Sequence, residues 1–213
     1  MNDFIRKINQ YCEAHTSPQP PLLHQLERET HLKTLAPQML SGHLQGQLLT
    51  MLSKFLCPKA ILEIGTFTGY ASICLAQGLA KGGVLHTIEA NPELEYFIRK
   101  YIGLARLEDK IHLHIGDARE VIPSLEGPFD MVFIDAGKQD YSLYYDLVIG
   151  KVRSGGLIIA DNVLWSGKVV TDERESDPDT RSIHRFNEKV QEDKRVENVL
   201  LPVRDGLLFA RKI

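Results

Sequence analysis

Residues 60–70 read AILEIGTFTGY, and this stretch decides the fold class. Its first part, Ala60–Gly65, is almost continuously apolar, which is typical of a parallel strand that is buried on both faces. The glycines at positions 65 and 69 indicate a tight turn, and a helix-compatible segment then runs to Lys81. We therefore interpret the stretch as a strand, a turn and a helix, the unit that builds sheets with helices on both faces.

Outward from this unit, strand-like and helix-like segments alternate. Further strands are predicted at Val84–Ala90, Lys110–Gly116, Phe129–Ala136 and Gly156–Asn162. Helices are predicted between them at Gly69–Lys81, Pro92–Arg106, Asp117–Leu125 and Gln139–Val152. This alternation indicates an α/β protein with a doubly wound parallel sheet.

Both ends of the chain depart from the alternation. The first 56 residues show no strand pattern, and helices are predicted there at Phe4–Ala14, Leu22–Leu32 and Leu44–Phe55. Near the other end, a polar helix at Asp177–Lys194 precedes two strands at Asn198–Val203 and Leu207–Ile213. Since Arg204-Asp205-Gly206 forms a three-residue hairpin loop, these strands should be antiparallel. We expect one domain over residues 1–213, with helices 1–56 covering the site of a core at 57–213.

Composition excludes several classes of protein. The 213 residues include 25 Lys and Arg against 28 Asp and Glu, a net charge of −3, so there is no basic excess of the kind nucleic-acid binders show. The three cysteines, Cys12, Cys57 and Cys74, are too few and too widely spaced for a disulfide framework or a CxxC site. A reducing, cytoplasmic location is expected. Apolar runs are too short for a membrane span, and Cys57 and Cys74 are interpreted as small core residues.

Ligands of open α/β sheets bind at the carboxyl ends of the strands. The first strand ends in the pattern E-x-G-x-x-x-G, formed by Glu63, Gly65 and Gly69. A dinucleotide site would carry G-x-G-x-x-G instead. A carboxylate at position 63 would repel a pyrophosphate and would suit a cationic amine such as S-adenosylmethionine, which carries an ammonium and a sulfonium. The alternative is a generic tight turn between strand and helix.

Two further acids follow the next strands. Glu89 ends the second strand, where a carboxylate can accept hydrogen bonds from both hydroxyls of a ribose. Asp117 follows the third strand and can contact an adenine amino group, cap the next helix, or do both. A solvated strand-terminal acid is the alternative for Glu89.

The fourth and fifth strands end in hard oxygen ligands. Asp135 follows the fourth strand, and Asp161 and Asn162 follow the fifth. These ligand types suit Mg²⁺, Mn²⁺ or Ca²⁺ and not zinc. Because two neighbouring carboxylates repel each other in a partly desolvated cleft, a divalent cation would stabilise them. The alternative is that each Asp only caps a strand end.

A lysine follows this predicted metal site. Three protein ligands leave roughly three of the six Mg²⁺ positions open, and two adjacent hydroxyls of an aromatic ring can fill two of them. The metal would act on the hydroxyl as a Lewis acid. Lys138, three residues after Asp135, is placed to accept the hydroxyl proton or to stabilise the phenolate. The oxygen would then attack the sulfonium methyl in line. A surface lysine at a helix start is the alternative.

Four stretches form a recognisable set: LEIGTFTGY (Leu62–Tyr70), FIDAGKQDY (Phe133–Tyr141), GGLIIADNVLWSG (Gly155–Gly167) and LLPVRDGLLFARK (Leu200–Lys212). Together with the earlier PQMLSGHLQGQLL (Pro37–Leu49), they resemble the cation-dependent class I O-methyltransferases, the group of caffeoyl-CoA and catechol O-methyltransferases. The resemblance runs from about Tyr11 to Lys212.

This resemblance implies a Rossmann-like sheet of seven strands with the last one antiparallel, and a homodimer. It places the contacts to S-adenosylmethionine on Met39, Ser41, Glu63, Gly65, Thr66, Glu89, Ala118 and Asp135. It places the metal ligands on Asp135, Asp161 and Asn162 and the catalytic lysine on Lys138. Trp165 and Ser166, in a loop at Val163–Ser176, are expected to line the acceptor pocket, although Trp165 fits a core role equally well.

The sequence departs from the family pattern at two places. The family reads Asp-Ala-Asp-Lys where this chain has Gly137 between Ala136 and Lys138, so one acid that helps to hold the cofactor is absent. The serine that the family has after Gly-Tyr is Ala71 here, and Ser72 beside it is the candidate substitute. We expect weaker cofactor binding and retained activity.

The sequence is compatible with more than one class of methyl acceptor and with other functions. Catechols are the first expectation, and a hydroxylated uridine in transfer RNA is the second, although the net charge of −3 argues against it. A local basic patch would support RNA binding, and solvated helix faces are the alternative explanation of its residues, Arg99, Lys100, Arg106, Lys110 and Arg119. A dinucleotide-dependent oxidoreductase and a non-catalytic cofactor-binding module are more distant alternatives. A serine hydrolase is excluded because G-x-S-x-G does not occur. His112 and His114 alternate on a strand and should share one face.

Overall fold

The computed structural model describes residues 3–171 and 177–213, and in them one seven-stranded sheet lies between two layers of helices. The strands are β1 Ala60–Ile64, β2 Val84–Glu89, β3 Ile111–Ile115, β4 Phe129–Ile134, β5 Val152–Asp161, β6 Val196–Leu201 and β7 Leu207–Lys212. The helices are α1 Asp3–Ala14, α2 Pro21–Lys33, α3 Gly42–Leu56, α4 Tyr70–Ala76, α5 Glu95–Leu104, α6 Ala118–Ser124, α7 Tyr141–Ile149 and α8 Pro178–Glu192.

The strand order is β3-β2-β1-β4-β5-β7-β6. Strands β1 to β5 pair with one another in parallel, and β7 runs antiparallel to both β5 and β6. This confirms the predicted Rossmann-like sheet with an antiparallel last strand. The chain reverses direction of winding between β1 and β4, and in such sheets a crevice opens at that point.

Each strand sends alternate side chains to the two helical layers. On one face, Leu62 and Ile64 of β1 pack with residues of α6, α7 and α8. On the other, Ile61 packs with residues of α2, α3, α4 and α5. Because a central strand is buried on both faces, the continuous apolar runs of the sequence are explained by this two-sided core.

The fifth strand differs from its prediction. It begins at Val152 and not at Gly156, so the predicted helix at Gln139–Val152 is shortened to α7, which a single 3₁₀ turn precedes. Val152 pairs with Phe129, and the register with β4 then shifts before it resumes at Met131 and Leu157. Gly155 adopts φ 74° within this irregular stretch. The glycine pair therefore belongs to a bulge inside the strand and does not begin it.

The predictions for Cys74 and for the histidine pair on β3 are confirmed, and the prediction for Cys57 is wrong. Cys74 is buried as expected, but Cys57, which ends α3 with φ 46°, is exposed, so the core interpretation of Cys57 is wrong. His112 and His114 share one face of β3, as predicted, and both stack against His86 of β2 at ring-centroid distances of 5.2 and 5.3 Å.

The loop predicted at Val163–Ser176 contains a 3₁₀ segment at Trp165–Val170, and residues 172–176 lie outside the described part of the chain. Across the described helices, none combines the length and the apolar character that a membrane crossing requires.

Candidate active site

A cavity opens at the carboxyl ends of β1 and β4, under the segment that leads into α3. Five of the predicted cofactor residues line it: Met39, Ser41, Gly65, Thr66 and Asp135. The structure thus brings the early PQMLSGHLQGQLL stretch over the turn that follows β1. The hydroxyl of Thr66 is hydrogen-bonded to that of Thr87 in the core.

Gly65 joins the two halves of the site. It adopts φ 97°, and a Cβ atom at this position would lie 1.9 Å from the carbonyl oxygen of Asp135. The Asp135 amide in turn donates to the carbonyl oxygen of Ile64 at 2.9 Å. Only glycine allows the end of β1 to approach the end of β4 so closely.

Glu63 lies deeper than the cavity lining and is fully buried. Its Oε2 accepts hydrogen bonds from the hydroxyls of Ser72 and Thr87, while Oε1 has no partner within the described residues. Burial raises the pKa of Glu63 to about 8, and the nearby carboxylates of Asp135 and Glu89 act in the same direction. A positive charge in the adjoining cavity would favour the ionised carboxylate.

The serine substitution has a structural consequence. Ser72 directs its hydroxyl inward to Glu63 and is itself fully buried, whereas Ala71 lines the cavity. A methyl group therefore stands where the resemblance leads us to expect a hydroxyl. Contact between Ser72 and the cofactor stays a prediction.

The acids after β2 and β3 are held by backbone amides. Glu89 accepts from the amide of Phe67 at 2.7 Å and from that of Asn91 at 2.8 Å, which orients its carboxylate at the strand end. Asp117 accepts from the amide of Arg119 at 2.8 Å and caps α6, so the capping alternative is confirmed. Its contact with an adenine remains a prediction, as does that of Ala118, the buried first residue of the helix.

The ends of β4 and β5 assemble the predicted metal ligands and the lysine. Lys138 Nζ donates to Asp135 Oδ1 at 3.1 Å and to Asn162 Oδ1 at 2.7 Å. Asp161 is buried and accepts from the backbone amide of Asn162 at 2.7 Å. Burial and the charge of Asp135 raise the pKa of Asp161 to about 6.

These residues fit a divalent cation by their chemistry. Two carboxylates and an amide oxygen are hard donors, and the raised pKa of Asp161 shows that its charge is costly beside Asp135. A divalent cation would reduce that cost. No set of three His, Cys, Asp or Glu side chains is arranged to hold a metal in the described ranges, so the candidate centre depends on Asn162 as its third ligand.

Trp165 stands beside the lysine. Its ring centroid lies 5.8 Å from Lys138 Nζ, and Trp165, Ser166 and Gly167 all adopt positive φ angles. The side chain is half-buried and Ser166 is exposed. The indole ring thus lies near Lys138, which suits a wall of an acceptor pocket, and it also packs against the hydrophobic core, as the core alternative expects.

Sequence reasoning missed two residues that contact this centre. Tyr141 accepts a hydrogen bond from Lys138 Nζ at 2.7 Å and donates to the Asp161 carbonyl at 3.0 Å. Gln45 Nε2 donates to Asp161 Oδ2 at 2.6 Å. Tyr141 follows Lys138 by three residues, and this spacing is only a weak indication of a contact between them. Gln45 is 116 positions away from Asp161 and gives no local signal.

Comparison with known proteins identifies the family of the chain. The sequence model of a family described as O-methyltransferase matches residues 13–213. The chain belongs to this O-methyltransferase family. The resemblance stated from the motifs is therefore confirmed, and the predicted enzyme class with it.

Individual relatives give the same result. A catechol O-methyltransferase from Niastella koreensis is 37% identical over 161 residues, which are 74% of this chain and 72% of the relative. A caffeoyl-CoA O-methyltransferase from Stellaria longipes is 33% identical over 181 residues, covering 80% and 75% of the two chains. The crystal structure of an O-methyltransferase from Bacillus cereus in complex with S-adenosylhomocysteine has 31% identity and a TM-score of 0.90, with 97% of each chain covered.

Proposed function

We propose that this O-methyltransferase transfers the methyl group of S-adenosylmethionine to one hydroxyl of a catechol-like acceptor, with the help of a divalent cation. The observation that carries the proposal is the contact of Lys138 Nζ with two of the three candidate ligands, Asp135 and Asn162, beside the cavity. The relatives named for catechol and caffeoyl-CoA support a phenolic acceptor.

Asp135, Asp161 and Asn162 would hold the cation, which, when bound, supplies Lewis-acid activation of the acceptor hydroxyl. Lys138 Nζ takes the hydroxyl proton and stabilises the phenolate that forms. The acceptor oxygen forms a bond to the methyl carbon while the carbon–sulfur bond breaks, and its electron pair stays on sulfur as S-adenosylhomocysteine forms. Tyr141 orients Lys138 through their hydrogen bond of 2.7 Å. Most of the rate gain in such a site comes from positioning.

A methyl-transfer assay with catechol, phenol, resorcinol and undermodified transfer RNA tests this function. Each acceptor is incubated with Mg²⁺ and, separately, with a chelator. We expect methylated catechol with Mg²⁺, little product with the chelator, and little from phenol or resorcinol, which lack adjacent hydroxyls. Equal rates with and without chelator would refute metal dependence, and methylation of RNA alone would refute the acceptor class.

The transfer-RNA alternative gains little from the structure. Of the basic residues proposed as a patch, Arg99 pairs with Glu95, Lys100 with Glu29, and Arg119 with Asp117. Acidic side chains therefore lie beside three of the five basic residues, so the patch is mixed in sign and is not the basic footprint that nucleic-acid binders show. The O-methyltransferase family gives no support to the oxidoreductase alternative.

A homodimer, which the resemblance implies, and a cytoplasmic location, which the few scattered cysteines favour, complete the proposal. Sedimentation equilibrium of the purified chain tests the dimer, which predicts twice the chain mass of 24.1 kDa.

A further inference from the structure

Arg204 connects the β6–β7 hairpin to the segment that covers the cofactor cavity. It lies in the turn of residues 203–206 and adopts φ 50°. Its guanidinium donates to the carbonyl oxygens of Leu40 and Ser41 and, at 2.8 Å, to Oε1 of Gln45. The planar guanidinium of Arg204 thus binds three acceptors at once, a geometry that a lysine ammonium does not reproduce.

Gln45 bridges Arg204 and the candidate metal ligand Asp161. Its side chain is fully buried, with Oε1 on Arg204 and Nε2 on Asp161 Oδ2 at 2.6 Å. Since a guanidinium only donates and an ionised carboxylate only accepts, the amide orientation is determined from both ends. The link is also neutral. A guanidinium bonded directly to Asp161 would compete with a cation for the carboxylate charge, whereas an amide leaves that charge available.

The same turn contacts the loop of the predicted acceptor pocket. The Leu164 amide donates to the Asp205 carbonyl at 2.9 Å, and the Ser166 amide donates to Oδ1 of Asp205. A Cβ atom on Gly206 would lie 2.5 Å from the Leu164 side chain, so the approach requires glycine. The turn is therefore a common support of the cofactor segment, the ligand Asp161 and the acceptor loop.

Building on the proposed function, we propose that Arg204 is a positioning residue that couples the cofactor-covering segment at Leu40–Ser41 to the metal ligand Asp161 through Gln45. It contacts neither the reacting atoms nor the cation. Its loss should loosen two binding sites at once, because one guanidinium holds the cavity segment and the amide that orients the carboxylate. The loss of Gln45 should affect only the second.

Binding measurements on the purified chain test this. Arg204→Gly is the first variant, because glycine adopts φ 50° without strain and Arg204 is an exposed residue whose removal leaves no core cavity. S-adenosylhomocysteine is titrated by calorimetry and Mn²⁺ by the electron paramagnetic resonance of the free ion. We expect R204G to bind both about tenfold more weakly, the usual scale for a residue that supports metal ligands. Added guanidinium ion should restore part of each affinity.

Two further variants separate positioning from a general loss of structure. Gln45→Leu should weaken Mn²⁺ about tenfold and leave S-adenosylhomocysteine within about twofold, since the Leu40 and Ser41 carbonyls keep their arginine. Arg99→Ala removes an exposed arginine that pairs with Glu95 on α5 and should change neither affinity.

The proposal is overturned if R204G binds both probes as the wild type does, or if Q45L weakens both equally. A wild-type chain that binds S-adenosylhomocysteine but no Mn²⁺ would instead refute the metal-dependent function itself, and the coupling with it.

Discussion

Two buried carboxylates at the same edge of the sheet are supported in opposite ways. Glu63, on β1, receives only the hydroxyls of Ser72 and Thr87, and its Oε1 has no partner among the described residues. Asp161, at the end of β5, has a hydrogen bond to each oxygen, from Gln45 and from a backbone amide.

The difference extends to the surrounding charges. Asp135 raises the pKa of both carboxyls, but Glu63 has a second acid, Glu89, beside it, whereas Asp161 has Arg204 close enough to lower its pKa against the effect of burial. The β1 side is thus short of positive charge, and the β4–β5 side supplies some of its own through Lys138 and Arg204. We infer that the first side receives a cationic cofactor and the second a divalent cation with an acceptor hydroxyl.

The largest effect on methyl transfer is expected from a substitution at the ends of β4 and β5. Lys138→Met keeps the apolar stem and removes the amine, so no side chain takes the hydroxyl proton. We expect kcat to fall about 10³-fold, while the affinity for S-adenosylhomocysteine stays unchanged in calorimetry. The control is Lys33→Met, an exposed lysine paired with Glu29. A loss below tenfold would mean that the proton leaves without Lys138.

On the β1 side, Glu63→Gln keeps the shape of the side chain and removes its charge. Since a hydrogen bond or close contact to a charged group contributes about 1.5–3 kcal/mol, we expect S-adenosylmethionine to bind at least about tenfold more weakly. Glu120→Gln, on the exposed face of α6, is the matched control. Equal affinity of E63Q and wild type would show that the cofactor does not use this charge.

The same residue makes the stability of the unliganded protein depend on pH. Its folded-state pKa of about 8 lies above the ordinary value of 4.5. The stability that neutral Glu63 contributes is therefore complete below pH 4.5 and is lost as the pH rises to about 8, by up to about 1.4 kcal/mol per pH unit. In urea unfolding, the free energy of unfolding of E63Q relative to that of the wild type should therefore increase as the pH rises from 5 to 8. Parallel curves would contradict the buried, neutral state.

A small gain in cofactor affinity is expected from a substitution at Gly137, where the sequence departs from the family pattern. A Cβ atom at Gly137 meets nothing within 4 Å, and the backbone φ of −58° suits any residue. Gly137→Asp should restore the missing acid and tighten S-adenosylmethionine about threefold, the scale of an exposed ion pair. Gly137→Ala should leave the affinity unchanged. Equal titrations for the two variants would remove the reason given for weaker cofactor binding.

The sequence allowed the placement of the ligands to be predicted, but not their partners. Asp135, Asp161 and Asn162 follow apolar runs, and the ends of parallel strands share one edge, so their meeting could be anticipated. The bond from Gln45 to Asp161 spans 116 positions and depends on how α3 packs on the sheet. The lack of a partner for Glu63 Oε1 among the described residues likewise follows from tertiary packing. The early start of β5 follows from a bulge at the glycine pair, which the sequence pattern does not indicate.

The inferred shortage of positive charge beside Glu63 can be measured directly as proton release. At pH 7 the unliganded carboxyl is mostly neutral, since its pKa is about 8. A bound cation should ionise it. Calorimetric titration of S-adenosylmethionine in buffers of different ionisation enthalpy should show that the wild type releases about one proton more than E63Q. The same proton count for both proteins would contradict the assignment of Glu63 to the cationic cofactor.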